Sequence, residues 1–137
     1  MERKDLQELS KIRLKAAKAL LGAGMSDGAY YLAGYAVECA LKACIAKETK
    51  RYEFPDKKRV DSSYKHDLEE LTKVAGLERI LAERSRNVPE FRTNWEVVKS
   101  WSEQSRYQRH EHLKAEQLLT AASDRRHGVI PWIKVHW

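Results

Sequence analysis

Hydrophobic positions recur every three or four residues along most of the chain. The first such stripe is Leu6, Leu9, Ile12, Ala16 and Leu20, set among Lys, Glu, Arg and Gln. That period predicts a surface helix over about residues 2 to 22, ended by Gly22-Ala23-Gly24. Residues 28 to 47, GAYYLAGYAVECALKACIAK, are apolar nearly all round, the mark of a helix at the centre of a bundle, with Asp27 or Ser26 as its cap. Its polar exceptions, Tyr31, Tyr35, Glu38 and Lys42, recur at intervals of four, three and four. At about 100° per residue they share one strip. The strip is either a partly solvated edge built on an ordinary Glu-Lys pair at i,i+4 or the wall of a site.

Further along, Thr49 to Tyr64 is polar and contains Pro55, which predicts a long loop near 49–65. A third helix is expected from about His66, with Leu68, Leu71, Val74 and Leu77 as its apolar side and a break at Gly76. Ile80 and Leu81 add a turn or two before Pro89. Phe91, Trp95, Val98 and Trp101 predict a fourth helix running toward Arg106 and Tyr107. A fifth starts near Glu111 and carries Leu113, Leu118, Leu119 and Ala122 before Gly128 and Pro131. The tail 129–137 alternates apolar and polar residues and reads equally as a short strand or as a segment packed across the bundle. The expectation is one all-α domain over 1–137: an up-and-down antiparallel bundle of four long helices plus a shorter fifth.

Composition narrows the setting. With 137 residues, 34% charged and 42% hydrophobic, the chain has one domain's worth of core and no run approaching a membrane span. The opening MERKDLQELSKIRLK has no apolar signal core, so a cytoplasmic location is expected. Cys39 and Cys44 lie five apart on one helix, point in separate directions and read as buried thiols. The five histidines are scattered apart from His110-x-His112, so neither a metal set nor a cofactor is implied. The net charge of +6 suits a polyanionic partner, but it is spread over small clusters at Lys57-Lys58-Arg59, Arg125-Arg126-His127 and around Arg106 and Arg109.

Four features stand in a fixed order: AxxAVECALKA from Ala33 to Ala43, His66-Asp67-Leu68-x-x-Leu71, Trp101-x4-Arg106-Tyr107, and a last helix leading to Trp132-Ile133. This order resembles the HEPN superfamily, the higher-eukaryote and prokaryote nucleotide-binding domain, from about Leu6 to Ile133. The resemblance implies a helical domain that dimerises with a cleft near the dimer axis. It also implies RNA or nucleotide as ligand and, in many members, a minimal nucleotidyltransferase antitoxin as partner. The ribonuclease branch carries Arg, four to six residues, then His, and Arg106 and His112 have five residues between them. On a continuous helix Arg106 and His112 would sit about 120° apart, whereas His110 would share the Arg106 face, so both histidines are candidates. Tyr107 after Arg106 resembles the Arg-Tyr-Pro signature of members without demonstrated catalysis, with Gln108 in place of the proline, which puts binding ahead of cleavage.

Metal-independent RNA cleavage would need a base for the 2′-hydroxyl, His112 or His110, and a fixed cation, Arg106, on the phosphorane. Glu38, Lys42, Tyr107, Arg109 and His66 are the candidate binding residues around them, His66 reading first as a cap or packing residue at the start of the third helix and second as a site residue. Three functions remain open: a nucleotide- or RNA-binding domain, an active endoribonuclease, and a silent protein-interaction scaffold.

Overall fold

The computed structural model describes residues 2–51 and 66–137, and with them the side chains of 2–49 and 66–137. Most of the long loop expected near 49–65, with Pro55 and the Lys57-Lys58-Arg59 cluster, lies outside the described residues. Its first residues, up to Arg51, belong to a helix. Among the described residues the chain is all helical, with no strand. Seven α-helices are present: α1 (Arg3–Gly22), α2 (Ser26–Arg51), α3 (Leu68–Val74), α4 (Glu78–Asn87), α5 (Pro89–Lys99), α6 (His112–Ser123) and α7 (Val129–Lys134). A 3₁₀ turn, Glu103–Tyr107, lies between α5 and α6. None of the described helices is long and apolar enough to cross a membrane.

The ends of these helices reflect local chemistry. α1 starts where the Glu2 amide donates to Asp5 Oδ2 at 3.0 Å and closes on Gly24, whose φ of +78° only glycine adopts without strain. There Met25 N donates to Leu20 O at 2.8 Å and Gly24 N to Leu21 O at 3.1 Å, the paired bonds of a Schellman stop. The same device recurs at Gly76, where Leu77 N reaches Thr72 O and Gly76 N reaches Lys73 O, both at 3.0 Å. Asp67, not His66, caps α3, accepting from Glu70 N at 2.9 Å. Pro89 opens α5, where its missing amide costs nothing.

α2 is the axis of the molecule and touches α1, α3, the 3₁₀ turn, α6 and α7. Its buried Ala33, Ala36, Val37, Ala40 and Leu41 meet Leu68, Leu71, Phe91, Leu118 and Ile133 in one core. α1 runs antiparallel to it: Leu20 lies against Gly28, Arg13 over Tyr35, and Ser10 against Ala36. The stripe of α1 that faces α2 differs from the one expected. Ser10 and Ala17 are the buried residues and Ile12 is exposed, because small side chains let the two backbones come close enough for Ser10 Oγ to donate to Ala36 O at 2.8 Å. Hydrophobicity marks the face less well than side-chain size here.

Two other expectations change. The fourth helix does not run through to Arg106: it stops at Lys99, Trp101 turns inward, and the chain continues as the 3₁₀ turn. The tail is packed against the bundle and is not a strand: 129–134 form α7, with Val129, Ile130 and Ile133 buried and Pro131 in its first turn, where proline is tolerated. Gln7 Nε2 and Lys47 Nζ hold the end of the chain beyond α7 by donating to the carbonyls of Trp137 (3.2 Å) and His136 (3.3 Å).

Candidate functional site

Glu38 is only 1% exposed, midway along α2. A buried carboxylate demands partners, and two are supplied. Lys42, one turn on, approaches Oε2 at 3.4 Å, and His66 Nδ1 approaches Oε1 at 2.8 Å. The other ring nitrogen of His66 lies 3.3 Å from Glu103 Oε2 on the 3₁₀ turn, and Glu103 Oε1 lies 3.6 Å from an Arg106 terminal nitrogen. One chain of polar contacts thus runs Lys42, Glu38, His66, Glu103, Arg106, from α2 across to the 3₁₀ turn. An ionised carboxylate only accepts, so both His66 contacts are hydrogen bonds only when the ring carries both its protons.

At the outer end the Arg106 side chain is 45% exposed. Its guanidinium lies 4.8 Å from the ring centre of Tyr107, itself 72% exposed. Hydrogen bonding to the Tyr107 hydroxyl is the largest cause raising the Arg106 pKa; Glu103 and the Tyr31 hydroxyl act in the same direction. Arg106 is therefore a permanent cation. Tyr31 and Tyr35 line the adjoining edge of α2, with ring centres 5.8 Å apart. Arg13 of α1 stands 5.7 Å from the Tyr35 ring centre. Burial is the main cause raising the Tyr35 pKa, with Cys39, Glu38 and Tyr31 adding and Arg13 opposing. Behind this edge Trp101 packs flat on Gly34: a Cβ at that position would fall 2.2 Å from the indole. Glycine at 34 therefore sets how deeply Trp101, and with it the start of the 3₁₀ turn, seats against α2.

The other predicted residues are placed differently. His110 is a packing residue, its ring stacked on Tyr30 with centres 3.9 Å apart. Its Nε2 lies 3.0 Å from Ser105 O, and since a carbonyl only accepts, the proton sits on Nε2. The main chain of His110 is clasped by the two residues expected to cap α2: Ser26 Oγ donates to its carbonyl at 2.6 Å, and Asp27 Oδ1 accepts from its amide. His112 is the first residue of α6, with its side chain 59% exposed and paired, among the described residues, only with Glu116 at 3.4 Å. Arg106 and His112 share no partner among the described residues. Arg109 is exposed. Both thiols are buried, as expected; burial is the largest cause pushing Cys39 up to about 11 and Cys44 to about 12. No group of three or more potential metal ligands occurs among the described residues.

Two members of the network carried signals that periodicity does not weigh. Glu103 stands three residues before Arg106, the spacing of an ion pair on one helical turn, and His66 immediately precedes the D-x-x-E cap of α3, which leaves its own side chain free for other work. Comparisons of the chain with protein-family models, with curated proteins and with solved structures found no match.

Proposed function

We propose that this chain is a HEPN-like helical domain that binds RNA or a nucleotide at the surface formed by Arg106, Tyr107 and Tyr31, and that it acts by binding rather than by an Arg106–His112 cleavage pair. The observation that carries this reading is an exposed guanidinium beside an exposed tyrosine, braced from below by the Glu103–His66–Glu38 chain. A guanidinium grips phosphate oxygens bidentately, and a free aromatic face stacks on an unpaired base. The bracing holds the cation in place without neutralising it, because Glu103 is shared with His66. In this reading α1, α2, α5 and α6 are the long members of an up-and-down bundle and α7 the shorter fifth. The protein is a cytoplasmic homodimer with a nucleotidyltransferase as the partner that the resemblance implies.

A second reading rests on the His66 geometry. Glu38 fixes the ring through Nδ1 and leaves Nε2 aimed at Glu103, beside Arg106. If RNA displaced Glu103, Nε2 would face the 2′-hydroxyl as base and Arg106 the phosphorane, with Glu38 in the orienting role of a carboxylate behind a catalytic histidine. Incubating single-stranded RNA with the protein in excess chelator separates the two. Retention of intact RNA, weakened by Arg106→Ala, supports binding. Cleavage abolished by His66→Ala but not by His112→Ala supports the enzyme. Cleavage that requires His112 contradicts both readings of the site.

A further inference from the structure

On the opposite flank of α1, a cleft of about 240 Å³ opens between α1 and α7, lined by Ser10, Lys11, Leu14, Lys15, Lys18, Ile130 and Lys134. It shares no residue with the Arg106 surface. We infer that this cleft is a separate anion site for a ligand carrying two or more linked phosphates.

Lys11, Lys15 and Lys18 are spaced four and three apart on α1, so they rise along one strip about 10 Å long at roughly 1.5 Å per residue. Lys134, from α7, faces them across the cleft. Like charges on adjacent helical turns oppose the helix that carries them, so three lysines in a row on α1 are an arrangement that an anion would relieve. Among the described residues no carboxylate lines the cleft. Among the described residues the one ion pair made by a lining lysine is Lys11 with Glu8 at 3.6 Å, and both side chains are more than half exposed, at 53% and 58%, so the pair is weak.

The floor differs from an ordinary solvated lysine face. It is made of Leu14, Ile130 and the buried Ser10, whose hydroxyl is already committed to Ala36 O. Apolar walls strengthen each charge contact inside a concavity. At one end stands Trp137, its ring centre 6.0 Å from Lys11 Nζ and 5.6 Å from Lys134 Nζ. Tethering by Gln7 Nε2 to the Trp137 carbonyl at 3.2 Å fixes the distance between α1 and the segment after α7.

Dimensions select the ligand class. A single phosphate cannot touch lysines spread along a strip of about 10 Å, and a cleft of about 240 Å³ does not admit a nucleic-acid duplex. A chain of two or three phosphates fits both length and charge, whether free, on a nucleotide or at the end of an RNA.

Titration calorimetry on the full chain, with inorganic tripolyphosphate and orthophosphate as probes, tests this directly. The expected result is one tripolyphosphate per chain, bound at least about ten-fold more tightly than orthophosphate and weakened by added salt. The double variant Lys15→Gln/Lys18→Gln should lose about ten-fold or more in affinity, and Lys134→Gln, on the other wall, should weaken binding in the same direction, while Arg106→Ala leaves it unchanged. ATP or a 5′-triphosphorylated RNA binding with the same lysine dependence would support the inference and identify which carrier the cleft admits. Equal binding of orthophosphate, tripolyphosphate affinity indifferent to all three lysine changes, or loss of binding in Arg106→Ala alone would overturn it. The Arg106 variant also keeps this test distinct from that of the proposed RNA surface, since the two can fail separately.

Discussion

His66 and His110 stand on either side of the same 3₁₀ turn and have opposite surroundings. His66 is half-exposed and meets the rest of the molecule through side chains, Glu38 on one nitrogen and Glu103 on the other. His110 is buried and meets it through main chain and ring: Ser105 O, the Ser26 and Asp27 clasp, and the Tyr30 face. The contact with the partly exposed Glu103 can be exchanged for a contact with a ligand at little cost. Contacts that satisfy buried backbone cannot. By that criterion His110 is part of the scaffold that holds the turn, and His66 belongs to the surface the turn presents.

The sharpest way to break this contrast is His110→Ala. It removes a stacked ring and a buried hydrogen bond and should destabilise the fold by about 2–4 kcal/mol in chemical denaturation, with RNA affinity per folded molecule unchanged. Altered binding at undiminished stability would move His110 into the site. Glu38→Gln is expected to cost less, about 1–3 kcal/mol, because it keeps the shape and loses only the charge that Lys42 and His66 share. It should also loosen Arg106 at the far end of the chain and so weaken RNA binding, whereas the His110 change should not.

Burial along α2 gives a smaller effect with a defined pH window. Cys39 and Cys44 have folded values raised from 9.0 to about 11 and about 12, and Tyr30 and Tyr35 are also raised, chiefly by burial. For groups raised in this way the unfolded chain loses its protons first. Their stabilisation is thus complete below about pH 9 and is lost progressively as pH rises toward the folded values. Denaturation midpoints measured from pH 7 to 10 should fall at the alkaline end, and both thiols should resist a disulfide-exchange reagent at pH 8 until denaturant is added. Rapid labelling of the native protein would place a cysteine at the surface. The smallest effect is expected for His112→Ala, within about 0.5 kcal/mol, since its partner among the described residues is an exposed Glu116.

Much of the fold was legible because helical period is a strong signal: the places of α1, α2, α3, α5 and α6, the central position of α2 and the burial of both cysteines all derive from it. Where it misled, the reasons are local. Trp101 continues the spacing of Phe91, Trp95 and Val98, yet it is buried from beyond the end of α5, because Gly34 leaves room for its ring on α2. A segment as short as Val129–Lys134 has too few residues to separate alternation from a helical turn. In the site, the strip Tyr31, Tyr35, Glu38 and Lys42 was visible as a pattern, but its partner Glu103 was not, since only the fold brings residues so distant in sequence to one His66 ring. The spacing from Arg106 to His112 counts residues across a 3₁₀ turn and an extended stretch, where helical geometry does not apply.

Affinity for a fluorescent single-stranded RNA, measured in chelator for the wild-type chain and for Arg106→Ala, tests the central claim most directly. The proposed site predicts a loss of about ten-fold or more, an unchanged denaturation midpoint and no cleavage. Wild-type affinity in a folded Arg106→Ala protein would contradict it.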